Sequence, residues 1–255
     1  MTITLPGLSG AVLVYLLVFA RTGAMIMLLP PIGDANVPAR VRLILALAIT
    51  LVLAPTVTIT YPQTAPENAV ALAVLIAQEV TVGLMIGAVA RIIVSAVSVA
   101  GFLIAGQTGL SYAETLDPTS AGQQGAVVGN FLSILAVVLI FASNLHHLAI
   151  GAVAGSYHLI PPGTPLPTAD MAELAIRTVS GSFALGFQLA APFLVFGFAV
   201  NAGFGVLARL MPQLQVFFVA MPVNILVGFV VMALLIGSMM SLFLGFYASQ
   251  MAQFM

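Results

Sequence analysis

Six runs of roughly twenty apolar residues, separated by polar linkers, decide what this chain can fold into. They cover about Leu8–Leu29, Leu43–Ile59, Ala69–Ala90, Val127–Ala154, Val179–Gly205 and Val216–Gly245. Each is close to the length that carries a helix across the hydrocarbon core of a bilayer. In lipid a backbone must satisfy its own hydrogen bonds, and a helix does so within one segment. Only 5% of the residues are charged, against roughly 25% in soluble domains. A soluble fold with so few charges could not cover its surface, so the expected class is an all-α membrane protein of about six long, kinked hydrophobic helices. The apolar piece Ile92–Ala105 is too short to cross alone; it either extends the third helix or forms a re-entrant segment.

Charge excludes several functions. Six arginines face seven acids for a net charge of −1, and there is no lysine. No nucleic-acid surface is expected from that balance. Cysteine is absent, which removes disulfides, thiol nucleophiles and cysteine metal sites. Arg40, Arg42, Arg91 and Arg209 fall on one side of a six-span topology and Arg177 on the other. Cytoplasmic loops carry the arginine excess, so both termini are expected outside.

Arg21 and Glu79 lie inside apolar runs, where ionisable groups are costly and face the bundle interior. A relay would need further titratable groups in series, so intramembrane polar contacts are the expected role, either a structural ion pair or a polar contact with a partner subunit. His146 and His147 are adjacent and point about 100° apart on a helix. With His158 in a proline-rich loop, a packed or interfacial pair is expected and no metal site. Gly83-x-x-x-Gly87 and Gly151-x-x-x-Gly155 each place two glycines on one helical face, where a neighbouring backbone can approach closely. Pro192, Pro212 and Pro222 fall in or beside the last two runs and are expected to kink or interrupt them.

The segment from Gly106 to Pro118 (GQTGLSYAETLDP) carries two of the seven acids, three residues apart, among glycines, hydroxyls and a proline. Irregular polar backbone at membrane depth is tolerated only where it lines a cavity or is buried in protein, which marks a pore or gate element. Glu114 and Asp117 have no His or Lys nearby, and Ser111 lacks the second glycine of a nucleophile elbow. Catalysis, catalytic residues, metals and cofactors are therefore not expected. A self-contained proton-coupled secondary transporter using Arg21, Glu79 and this acidic loop is the alternative function. Transporters commonly carry internal inverted repeats, and none is detectable here.

Four separated segments carry a family resemblance: Val37-Pro38-Ala39-Arg40-Val41-Arg42-Leu43; Gly106 to Ala113 with Asp117-Pro118; Asn144-Leu145-His146-His147-Leu148; and Leu207 to Phe217, containing Arg209, Pro212 and Gln213. Their ordered set resembles the FliR family of flagellar biosynthetic proteins, relatives of the T subunit of virulence type III secretion systems. The resemblance implies a structural subunit of the flagellar export gate at the bacterial inner membrane, in the flagellar basal body. FliP-like and FliQ-like subunits would join it in a helical assembly around a channel, with FlhB- and FlhA-like proteins, membrane lipid and unfolded flagellar substrates as further partners. Much of the mass would then sit above the membrane plane. Residues 1–179 would form a FliP-like region including the polar loop 106–124, and 180–255 a FliQ-like helical hairpin. Gly106, Gln107, Gly109, Leu110, Ser111, Tyr112 and Ala113 would plug the channel, and Glu114, Asp117 and Pro118 would anchor the loop.

Overall fold

The computed structural model describes residues 10–34, 36–57, 61, 69–110, 126–211 and 216–255. Among them the regular structure is α-helical: α1 (Gly10–Leu28), α2 (Ala39–Val57), α3 (Ala69–Gln107), α4 (Ala126–Ala142), α5 (His146–Leu159), α6 (Thr168–Leu210) and α7 (Val216–Ala252). The all-α membrane class is therefore found, with five helices long and apolar enough to cross a bilayer and a sixth span if α4 and α5 count as one.

Ile92–Ala105 extends the third helix, making α3 a single element of 39 residues. α6 runs for 43 residues and α7 for 37. At 1.5 Å per residue these are about 55–65 Å long, roughly twice a hydrocarbon core. The fourth apolar run is not one straight helix: a 71° bend separates α4 from α5. Asn144 sits there at φ 59°, a left-handed conformation that asparagine tolerates better than most residues. The apolar runs on either side are so continuous that hydropathy reads through this break. His158 is another correction, lying in the last turn of α5 and not in a loop. Pro192 and Pro222 lie inside α6 and α7, which continue through them; Pro212 is outside the described residues.

α6 has local signals at both ends. Asp170 lies in its first turn and Arg209 in its last, each sign matching the partial charge of that helix end. Glu173 and Arg177 pair one turn apart, an exposed contact of small energetic weight.

The helices pack as two compact units whose residues interleave along the chain. One comprises residues 1–92, 141–178 and 247–255. In it α1 packs on α2, and both pack on α5. The two glycine motifs lie at close backbone approaches here. A Cβ at Gly83 would overlap the Arg21 carbonyl, one at Gly87 would come within 2.7 Å of the Met25 carbonyl, and one at Gly155 would overlap the Phe254 carbonyl. His146 stacks on Phe141 with ring centroids 4.9 Å apart and stands 4.2 Å from His147; His146 is half-buried and His147 exposed, so the pair is only partly packed.

The other unit comprises residues 93–140 and 179–246. Gly101 of α3 and Gly129 of α4 meet backbone to backbone, and the Ser98 and Ser133 hydroxyls bond at 2.7 Å. Large apolar side chains remain exposed on α6 and α7, among them Phe183, Val195, Phe198, Leu226 and Leu234. Only 33% and 22% of their most apolar windows are buried. Such faces need lipid or another protein to cover them.

Candidate functional site: a buried ion pair and the root of the polar segment

Arg21 of α1 and Glu79 of α3, 58 residues apart, form a fork-to-fork ion pair. Arg21 Nε donates to Glu79 Oε2 at 2.7 Å and Nη2 to Oε1 at 3.1 Å. Both side chains are 1% exposed. Nη1 donates to Ser156 Oγ at 2.9 Å, and Nη2 also reaches the Ile160 carbonyl at 3.2 Å. The Ser156 hydroxyl in turn donates to the Val153 carbonyl at 2.7 Å. The guanidinium lies over the Tyr157 ring, 3.9 Å from its centroid, a cation–π contact strengthened by the dry surroundings. The Tyr61 hydroxyl donates to Glu79 Oε2 at 3.2 Å and lies 3.5 Å from the Tyr157 hydroxyl. Burial raises Tyr61 far above the ordinary phenol range, so it stays protonated and keeps donating to the carboxylate.

A buried pair offsets its desolvation only when geometry is good and the remaining lone pairs and protons are matched. Here a bidentate contact, a serine, a backbone carbonyl, a phenol and a ring face meet that condition. Four segments converge on one charge pair: α1, α3, α5 and the stretch before α3. Tyr61, Ser156 and Tyr157 were not singled out in the sequence. Their signal was indirect, since two buried charges need neutral hydrogen-bonding partners.

The polar segment expected to begin at Gly106 starts later, because Gly106 and Gln107 are the last residues of α3. Gly109 follows at φ +77°, the left-handed position that commonly terminates a helix and favours glycine. Thr108 is fully buried; its hydroxyl bonds the Ile104 carbonyl at 2.9 Å. Asn224 of α7 donates through Nδ2 to the Gln107 carbonyl at 3.3 Å. A Cβ on Gly228 of α7 would lie 2.5 Å from the Thr108 methyl, and one on Gly197 of α6 would overlap the Gln107 side-chain oxygen. Leu110 lines a cavity of about 460 Å³ with Val127, Val128, Phe131, Phe229 and Met232. Ser111, Tyr112, Ala113, Glu114, Asp117 and Pro118 lie outside the described residues.

Gly109 gives a direct test of this geometry. A Cβ there would meet the Asn224 amide nitrogen at 3.6 Å, an ordinary contact, so backbone conformation and not space limits substitution. Gly109→Val is expected to destabilise by about 1–3 kcal/mol and Gly109→Asn by less. Thermal unfolding of the purified protein would rank the two, and equal losses would contradict the assignment.

Most of the chain has matching relatives. The family model of bacterial export proteins, family 1, matches residues 12–249. The flagellar biosynthetic protein FliR of Caulobacter vibrioides is 44% identical over 86% of each chain. FliR of Bacillus subtilis is 31% identical over 86% of this chain and 84% of its own. The Yop proteins translocation protein T of Yersinia pestis is 28% identical over 68% of this chain and 67% of its own. The ordered segments, the multi-pass helices and a match that spans nearly the full length agree: the chain belongs to the FliR family of bacterial export proteins.

Proposed function

We propose that the chain is a non-catalytic structural subunit of the flagellar type III protein export gate in the bacterial inner membrane. The observation that carries this reading is the continuous match to the flagellar FliR proteins, 44% identical over 86% of both chains in one case. The exposed apolar faces of α6 and α7 suit burial against other helices, with FliP-like and FliQ-like subunits as neighbours and FlhB- and FlhA-like proteins around them. Residues 180–255 supply the FliQ-like hairpin through most of α6 and α7, and residues 1–179 the FliP-like part. The segment from Gly106 to Ala113 seals the channel against water and ions while unfolded flagellar subunits wait, with Glu114, Asp117 and Pro118 anchoring it. The transporter alternative loses ground, because Arg21 and Glu79 are sealed and bound to each other, which leaves neither free to relay protons.

Co-expression with the FliP-like and FliQ-like proteins, purification in mild detergent and reconstitution into a planar bilayer test the reading. A large hetero-oligomer is expected from both the wild-type chain and a deletion of Leu110–Ala113. The deletion should raise ion leakage and impair controlled secretion. A stable monomer would overturn the subunit assignment, and unchanged conductance in the assembled deletion would overturn the plug.

A further inference from the structure

We propose that Asn224 on α7 is a positioning residue that latches the root of the plug segment, so that displacement of α7 from the end of α3 releases the seal. This rests on the plug reading above. The last carbonyls of a helix have no partner within it, and that of Gln107, the final residue of α3, receives its hydrogen bond from another helix through Asn224 Nδ2 at 3.3 Å. A carbonyl only accepts, so the amide nitrogen must face it. The opposite oxygen, Oδ1, is buried and has no partner among the described residues.

Four consecutive residues are seated by the same helices. The Gln107 side chain occupies the space left by Gly197 of α6, and the Thr108 methyl the space left by Gly228. Gly109 turns the chain, and Leu110 reaches the apolar cavity beside Phe229 and Met232 of α7. Asn224 and Gly228 stand one helical turn apart on α7 and so share a face. Thr108 satisfies its hydroxyl within α3, so only its methyl engages α7. Among the described residues the polar part of the attachment is therefore one neutral hydrogen bond, the rest being shape. Such a contact breaks and re-forms readily, as a gate requires.

The absence of cysteine makes a single introduced thiol a clean reporter. Leu110→Cys in the assembled complex would be labelled with a charged, water-soluble maleimide, with Thr164→Cys in the exposed polar turn between α5 and α6 as reference. Asn224→Ala should speed labelling at 110 roughly fivefold, the factor one net hydrogen bond is worth. Asn224→Asp, of nearly equal volume but lacking the donor, should do at least as much, and the reference rate should stay constant. Gly228→Ala should loosen the same root through the Thr108 methyl, and adding Thr108→Ser should restore part of the protection. Unchanged labelling at 110 in both Asn224 variants would overturn the latch, even if deletion of Leu110–Ala113 leaks and the plug stands. Faster labelling with no leak from that deletion would also overturn it, because the contact would then hold something other than a seal.

Discussion

Glu79→Ala is expected to lose about 3–5 kcal/mol of stability, because it leaves the Arg21 guanidinium buried without its counter-charge. Arg21 is 1% exposed, so water cannot take over the role of the carboxylate without opening the packing of α1, α3 and α5. Arg21→Ala should be similarly severe, stranding the carboxylate with the Tyr61 hydroxyl as its one remaining partner among the described residues. Against a marginal total of about 5–15 kcal/mol, either change should cut accumulation of the protein in the membrane sharply. Glu79→Gln, which keeps the shape and one acceptor, should cost less than Glu79→Ala. The decisive variant removes both charges. Arg21→Met with Glu79→Leu, together with Tyr61→Phe to remove the hydroxyl that had donated to the carboxylate, should recover most of the loss, since apolar replacements of a whole buried pair are often neutral. Membrane abundance and unfolding midpoints in detergent read the series. Recovered abundance and midpoint with export still lost would mean that the pair acts in export beyond holding the helices together. Non-recovery would mean that apolar packing cannot replace it.

The helical class and five of the expected apolar spans were legible because hydropathy and length decide them. So was the partnership of Arg21 and Glu79, because two buried charges of opposite sign in one chain have few other ways to be tolerated. What escaped depended on geometry that composition averages away. The turn at Asn144 lies between apolar runs that continue each other. Tyr61 and Tyr157 become partners of the ion pair only through folding, and nothing beside them in sequence marks that role. Asn224 did leave a trace, as a lone amide in the apolar run of α7, where an uncompensated polar group is costly. Its partner, the end of α3, has no such mark, because Gly106 and Gln107 open a stretch whose composition reads as polar loop. The limit of the helix was settled by the left-handed Gly109, two residues farther on.

Gly83→Val should rival the loss of the ion pair, although it touches no charged atom. Gly83 stands one turn after Glu79 on the same face of α3, and a Cβ there would overlap the Arg21 carbonyl and lie 2.9 Å from the Ala24 Cβ. The obstacle is backbone, which no rotamer change can move aside. The helices must separate, and overpacking of this kind costs about 1–3 kcal/mol by itself. Separation also draws Glu79 away from Arg21, whose hydrogen bonds of 2.7 and 3.1 Å tolerate little lengthening. A loss of about 3 kcal/mol or more is therefore expected from the two effects together. Gly83→Ala should be milder but still harmful, and Gly106→Ala, where a Cβ meets nothing within 4 Å, should be nearly silent. The coupling itself is measurable. If Gly83 acts partly through the pair, Gly83→Val should cost less in the uncharged Arg21→Met, Glu79→Leu, Tyr61→Phe background than in the wild-type chain. Equal costs in the two backgrounds would show that the glycine serves helix approach alone, with the ion pair a separate contact.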